Sequence, residues 1–415
     1  MSDYQHRANK ILQQINELAA ISEDTDMVTR TYGFSAFVDA GEKIMAWMQQ
    51  IGLETRADNI HNIRGRLNCS NANAQTLIIA SHYDTVVNAG RFDGPLGIIM
   101  GLDSIENLIQ HKTVLPFNIE LIAFCDEEGV RFHTTYLGSK VIAGSFDTNL
   151  LSKKDKNGIT LSAGIKKLGG NPDLLHNDSL ANENLLGYFE MHIEQGPVLY
   201  ASGIPVAMVT AIAGQQRAEL IFTGVAGHAG TVPMDMRQDA LCCAAECITW
   251  IEDFAKEKRN NIVATVGKME VLHAASNVVP GLVTCTIDVR SADELALLNA
   301  CAALNKRMTD ICNKREITFA WNNIQETGPV VCSPGMNTIL KQSIELSGYE
   351  VVELVSGAGH DAVALSAVCP VCMLFVRCFK GISHNPLEDV EIKDIEAAIK
   401  VSDNFLLNLI SNFNK

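Results

Sequence analysis

Apolar positions recur at helical spacing over about residues 6–20 and 35–51 and then give way to short, continuous apolar runs. Leu77-Ile78-Ile79-Ala80-Ser81, Asn118–Phe124 and Leu185–Met191 each have the length and content of a buried strand. Pro95 to Gln110, between the first two, carries helical periodicity. Val351–Val355 and Val371–Val376 resume the strand pattern near the end of the chain, and Ile392 to Ile410 reads as a closing helix. Strands that alternate with helices predict a mostly parallel sheet covered on both faces, and so an α/β fold.

The pattern changes between about residues 214 and 330. Ala218–Thr223 reads as a strand, Asp235–Lys258 as a long helix, and Ile262–Leu272 and Val283–Arg290 as two further strands. A helix over Asp293–Lys314 and a strand over Glu316–Trp321 follow. This β-α-β-β-α-β order is that of a ferredoxin-like domain. The expectation is a discontinuous main domain, residues 1–213 and 330–415, with an inserted domain at 214–329. Glycine-bearing crossings at Ala213-Gly214 and Thr327-Gly328-Pro329 suit a hinge. No internal repeat, low-complexity segment or Pro/Ser-rich linker interrupts the chain.

Length agrees with two domains, since 415 residues exceed one ordinary compact core. With 47% hydrophobic and 20% charged residues the chain can bury a core, which excludes disorder as its main state. The net charge of −15 and the absence of a basic run argue against nucleic acid as a partner. No stretch has the 18 or so consecutive apolar residues of a membrane span, and the Met1-Ser2-Asp3-Tyr4-Gln5-His6-Arg7 start is polar. A cytoplasmic protein with reduced thiols is expected. Accordingly Cys369-Pro370-Val371-Cys372, which lacks a second C-x-x-C, and Cys242, Cys243 and Cys247 are expected to be buried structural cysteines.

Chemistry enters at the strand ends, where open α/β sheets bind ligands. His82-Tyr83-Asp84 and Asp93-Gly94 follow the first strand, and Asp126-Glu127-Glu128-Gly129 follows the second. His192-Ile193-Glu194-Gln195-Gly196 and Gly381-Ile382-Ser383-His384 follow the others. Any one of these histidines is ordinarily a hydrogen-bonded loop residue, and Asp93 before Pro95 has the position of a helix cap. Their coincidence is what changes the reading. Three histidines and at least three carboxylates on one rim, without thiolates, suit zinc, manganese, nickel or cobalt in a hydrolytic site. Glu127 and Glu128 in an irregular turn can diverge, one toward metal and one toward the attacking water. Asp84, two residues from His82, is placed to orient that imidazole.

These motifs, in order and without a gap from about residue 30 to the end, resemble the aminoacylase/carboxypeptidase-type di-zinc hydrolases. More narrowly they resemble the hydantoinase/carbamoylase branch, which includes allantoate amidohydrolase, N-carbamoyl-L-amino-acid hydrolase and β-ureidopropionase. The resemblance implies two divalent ions, zinc or manganese, with nickel or cobalt possible. It implies His82, Asp93 and His192 as ligands of one ion, Asp93 as the bridge to a second, and Glu128 and His384 as the ligands that complete the second ion's shell. The assignment of His82 and His384 between the ions stays open. Glu127 would be the general base. In the inserted domain His228 would stabilise the developing oxyanion, while Asn277 and Arg290 would hold a substrate carboxylate; on their residues alone His228 suits a loop histidine as well as a catalytic group, whereas Asn277 more often makes a turn and Arg290 is more often a solvated or paired charge. Gln195 would contact the ureido group, and the Gly357-Ala358-Gly359-His360-Asp361 run, with Gly359 and His360, would approach substrate from the main domain. The branch cleaves the ureido amide of small anionic substrates, releasing ammonia and carbon dioxide. Gly214-Gln215-Gln216-Arg217 resembles the allantoate enzymes, with Arg217 as an extra anion contact, so allantoate is favoured over N-carbamoyl-L-amino acids. An aminoacylase, a dipeptidase or a non-catalytic binding protein is the more distant alternative, and the last leaves Glu127 without a purpose. A homodimer formed through the inserted domain, which would also act as a lid, is likewise implied.

Overall fold

In the computed structural model, which describes residues 3–71 and 73–413, the chain divides into two compact units. Met1 and Ser2 of the polar start lie outside the described residues. One unit comprises Met1–Thr210, Cys332–Leu354 and Gly359–Lys415; the other comprises Ala211–Val331 and Val355–Ala358.

The first unit is built on a sheet whose four central strands are parallel, in the order Asn118–Phe124, Thr76–His82, Leu185–Ile193, Val371–Val376. Every residue of the first two and the last is buried, which explains their continuous rather than alternating apolar character. Antiparallel strands flank them. Ile63–Leu67 and then Glu54–Ala57 extend one side, and Val206–Ile212 pairs with Val371–Val376 on the other. The helices Asp3–Ala19, Pro95–Gln110 and Ile392–Phe413 pack together against the sheet. A buried guanidinium ties all three: Arg7 donates to Asp103 Oδ2 through Nε (3.0 Å) and Nη2 (2.6 Å). It also donates to Asp403 through Nη1 (2.6 Å) and Nη2 (3.0 Å).

Parallel alignment puts the carboxyl ends of all four central strands on one edge. The segments that follow His82, Phe124, Ile193 and Val376 therefore share a rim. The late strand occupies Glu353–Ser356, later than the apolar run Val351–Val355 predicts.

The second unit is a four-stranded antiparallel sheet in the order Thr318–Thr327, Gly214–Thr223, Leu282–Ser291, Val263–Leu272, with the helices Ala240–Lys256 and Glu294–Lys314. In chain order this is strand four-one-three-two, the ferredoxin-like arrangement. Alternation sorts its faces. Ala218, Leu220, Phe222, Val283, Cys285, Ile287 and Val289 join the core with the helices, and Arg217, Asp288 and Arg290 fall on the other face. The first helix begins at Ala240, not near Asp235, because the Asp239 carboxylate accepts the backbone N–H groups of Leu241 and Cys242 and so caps it there. All twelve cysteines are free thiols. Cys243, Cys247, Cys369 and Cys372 are buried as expected, but Cys242 is exposed, on the solvent side of its helix.

Candidate active site

Asp93 is the centre of the rim. Its Oδ1 lies 3.2 Å from His192 Nε2 and 3.7 Å from His82 Nε2, and the two imidazole nitrogens are 3.5 Å apart. Its Oδ2 lies 3.1 Å from His384 Nε2, which in turn is 3.4 Å from Glu128 Oε1. Tetrahedral coordination with bonds of about 2.0–2.1 Å puts ligand atoms roughly 3.3–3.4 Å apart. The donor atoms thus have the spacing of metal ligands, and the Asp93 carboxylate offers one oxygen to each side. His82 lies within ligand reach of Asp93 and His192 and also of Glu127 and Glu128, while His384 lies within reach of Asp93 and Glu128.

The electrostatics point the same way. Asp93 is buried, which alone would raise its pKa, yet hydrogen bonds from His192, His384 and His82 hold it well below the usual carboxylate range. Asp93 and Glu128 push His384 up to about 10, despite its partial burial. This carboxylate cluster draws positive charge onto itself, the behaviour expected of a cation site.

The local backbone is shaped to these side chains. Gly94 has φ +85°, and a Cβ there would sit 2.5 Å from the His82 ring, so both conformation and space require glycine. Asp126, Gln195 and His384 also take positive φ, of 49°, 55° and 54°, a cost tolerated where surrounding structure fixes a functional group. Asp84 acts differently from the sequence expectation. His82 Nδ1 contacts the Asp84 backbone carbonyl at 3.0 Å, whereas the Asp84 carboxylate is 3.8 Å away. That carboxylate instead accepts the backbone N–H groups of Glu127 (3.0 Å) and Glu128 (3.2 Å), so it holds the turn bearing both glutamates. The Glu127 side chain is buried, and burial together with Glu128 and Asp361 raises its pKa well above normal against the lowering pull of His82.

Other expected contacts are placed less openly. The Gln195 amide donates to Asp93 Oδ2 at 2.8 Å and to Ser383 Oγ at 3.2 Å. His360 is 2% exposed and packs edge-on behind His192, with ring centroids 4.6 Å apart. Burial and His192 hold it well below the usual histidine range, hence neutral. Gly359 lies against the Tyr136 hydroxyl, which a Cβ would overlap. Tyr136 and Glu388 went unnoticed in the sequence, and Ser383 entered only as part of the Gly381–His384 run; only the glycine runs hinted at such close approaches.

The second unit holds its own group of expected residues. His228 and Asn277 are exposed and adjacent, because Gly227–His228 pairs with Val278–Val279. The Gly230 N–H donates to His228 Nδ1 at 3.1 Å, so the neutral ring carries its proton on Nε2, free to donate. Arg290 grips Asp288 bidentately, Nε and Nη2 each at 2.9 Å, and its Nη1 donates to the Gly357 carbonyl. Arg217 Nε donates to the same Asp288 at 2.8 Å. These side chains line a cavity of about 570 Å³. Asp288, between two arginines, is the residue the sequence reading lacked.

A parallel α/β sheet with a histidine–carboxylate cluster at its carboxyl edge defines the class of metal-dependent hydrolases. The chain belongs to peptidase family M20/M25/M40, whose model matches residues 78–408. It is 38% identical to allantoate deiminase 2 of Glycine max, covering 97% of this chain and 89% of that one. It is 33% identical to the N-carbamoyl-L-amino acid amidohydrolase of Geobacillus stearothermophilus, covering 92% and 93%. A crystal structure of an amidase of the hydantoinase/carbamoylase family from Burkholderia multivorans superposes with a TM-score of 0.91 at 32% identity over 96% and 97% of the chains. The chain is thus an amidohydrolase of this family. No helix among the described residues is long and apolar enough to cross a membrane.

Proposed function

We propose that the chain hydrolyses the ureido amide of allantoate, with two divalent ions, zinc or manganese, that His82, Asp93, Glu128, His192 and His384 would hold. The carrying observation is the Asp93 carboxylate with one oxygen facing His82 and His192 and the other facing His384. Bound there, the ions would acidify water and polarise the ureido carbonyl. Glu127 takes the proton of the attacking water and passes it to the departing nitrogen, which leaves as ammonia; the remaining carbamate loses carbon dioxide. His228, with its Nε2–H free, donates to the oxyanion. Arg290, Asn277 and Arg217 hold the carboxylate, and Gln195 the ureido end, with Gly359 and His360 as further contacts.

Allantoate is supported by the 38% identity to the Glycine max allantoate deiminase, against 33% and 35% to two N-carbamoyl-L-amino-acid amidohydrolases. The second relatives favour N-carbamoyl-L-amino acids as the other reading. Ammonia release with added manganese or zinc should be measured across allantoate, N-carbamoyl-L-amino acids, N-carbamoyl-β-alanine and a dipeptide. Allantoate should give the highest kcat/KM, and preference for any other member rejects the assignment. We further propose a cytoplasmic homodimer formed through the inserted unit, which also serves as the lid. Light scattering that finds a 45.1 kDa species alone rejects the dimer.

A further inference from the structure

One buried carboxylate touches the rim without being a member of the ligand cluster. Glu388 is 3% exposed. Its Oε1 accepts the backbone N–H groups of Phe92 (2.8 Å) and Asp93 (3.1 Å). Its Oε2 accepts from Ser383 Oγ at 3.0 Å, and that hydroxyl is also 2.9 Å from Asp93 Oδ2. The Glu388 N–H bonds to the Asn385 carbonyl, so the same short segment carries His384. Both ends of Asp93, main chain and carboxylate, are therefore tied to the loop that bears the histidine on its far side.

Gly90 supplies an independent sign that this contact is built in. Its φ is not positive, so conformation does not call for glycine there. A Cβ at Gly90 would instead overlap the Glu388 Cδ, Oε1 and Cβ atoms. Next to it, Arg91 Nη2 meets Asp389 Oδ1 at 2.7 Å, a second tie between the same two loops.

We propose that Glu388 is a positioning residue that clamps the Asp93 loop to the His384 loop and so sets the distance between the two ion-binding groups. The proposal rests on the reading of Asp93 as the shared ligand. Glu388 touches no ligand atom that faces an ion, so it acts through Asp93 and Ser383. Partners of this kind, which fix a ligand's orientation, are worth about 10–100-fold in metal affinity.

The test is zinc binding by the full chain stripped of metal, titrated against a chromophoric chelator, with stoichiometry and Kd read separately from activity. Glu388→Ala should weaken zinc binding about 10–100-fold. Glu388→Gln should bind within about threefold of wild type, because its amide oxygen keeps both backbone N–H bonds and its NH2 donates to Ser383. Gly90→Ala, which displaces Glu388 without removing it, should fall between the two and covers the case in which Glu388→Ala does not fold. Wild-type zinc affinity in folded Glu388→Ala or Gly90→Ala overturns the clamp. So does a loss in Glu388→Gln as large as in Glu388→Ala. A wild-type chain that binds no zinc or manganese fails the metal-site reading itself, and the inference falls with it.

Discussion

Glu127→Gln separates proton transfer from metal binding. The substitution exchanges one oxygen for NH2 and leaves the turn's scaffold intact, because Glu127 and Glu128 are held by their backbone N–H groups on Asp84, at 3.0 and 3.2 Å. Burial of the side chain is unchanged, and the Asp93, His192, His82, His384 and Glu128 contacts do not involve it. What is lost is the capacity to take and return a proton. General-base catalysis contributes about 10²–10⁴-fold, equivalent to roughly 3–5.5 kcal/mol of barrier. The expected variant therefore binds two ions per chain and keeps its KM within a few-fold, while kcat falls by at least about a hundredfold. Ammonia release gives kcat and KM, and elemental analysis gives metal content. A kcat near wild type refutes the general-base role. Loss of metal with loss of activity refutes it differently: Glu127 then belongs with His82 and Glu128, whose side-chain donors lie within 4.8 Å of its own, as a ligand.

Arg290→Ala should raise KM for carboxylate substrates by less than the roughly 10–150-fold (~1.5–3 kcal/mol) of an unshared charge-assisted hydrogen bond, because Asp288 already holds its bidentate face, with a smaller change in kcat; an unchanged KM removes Arg290 from the anion site. Gly94→Ala places a Cβ 2.5 Å from the His82 ring at φ +85° and should leave the chain folded but short of metal; full metal occupancy contradicts that account. Arg7→Met strands Asp103 and Asp403 in the helical layer and should cost about 3–5 kcal/mol at neutral pH. Burial already raises both carboxyls above their normal range against the pull of Arg7, and without Arg7 they rise further. A carboxyl with a raised folded pKa loses stability as pH climbs from its unfolded value through its folded one, so the deficit should be smallest near pH 4 and grow toward neutrality. Thermal melts of both proteins from pH 4 to 7 check this, and a deficit independent of pH refutes it.

Which parts of this architecture were legible follows from what each residue's neighbours demand. The central strands were readable because burial on both faces forces continuous apolar runs. Ile63–Leu67 was not, because Arg64 and Arg66 interrupt it. Their charges are met across the sheet by Glu120, at 2.5 and 2.9 Å, a pairing visible only in three dimensions. The histidines and acids at strand ends were legible because the fold class says where strand ends go. Their distribution between two ion positions was not, since it depends on which Asp93 oxygen each one faces. Asp84 was assigned a task by sequence proximity that its backbone performs, while its carboxylate reaches the next strand's loop. Glu388 and Asp288 sit in ordinary sequence contexts, and their meaning comes wholly from long-range partners.

The acidic balance of the chain takes on a different sense beside these contacts. A net charge of −15 spread over the surface is screened beyond about 8 Å at physiological ionic strength, so it sets solubility more than it repels a small anion at the site. Only charges within that distance decide. In the second unit Arg217 and Arg290 offer two positive charges, but Asp288 cancels one and already occupies the bidentate face of Arg290. A substrate carboxylate then gains only the difference between its own bond and that of Asp288. Arginine here contributes selectivity and orientation more than affinity. On the rim of the first unit Asp84, Asp93, Glu127, Glu128 and Glu388 outnumber His82, His192 and His384 even with every histidine protonated. Two divalent ions, held by neutral histidines, would bring the five carboxylates from −5 to −1 and so nearly cancel that local charge. Affinity for an anionic ureido substrate should therefore depend on metal occupancy as well as on the arginines.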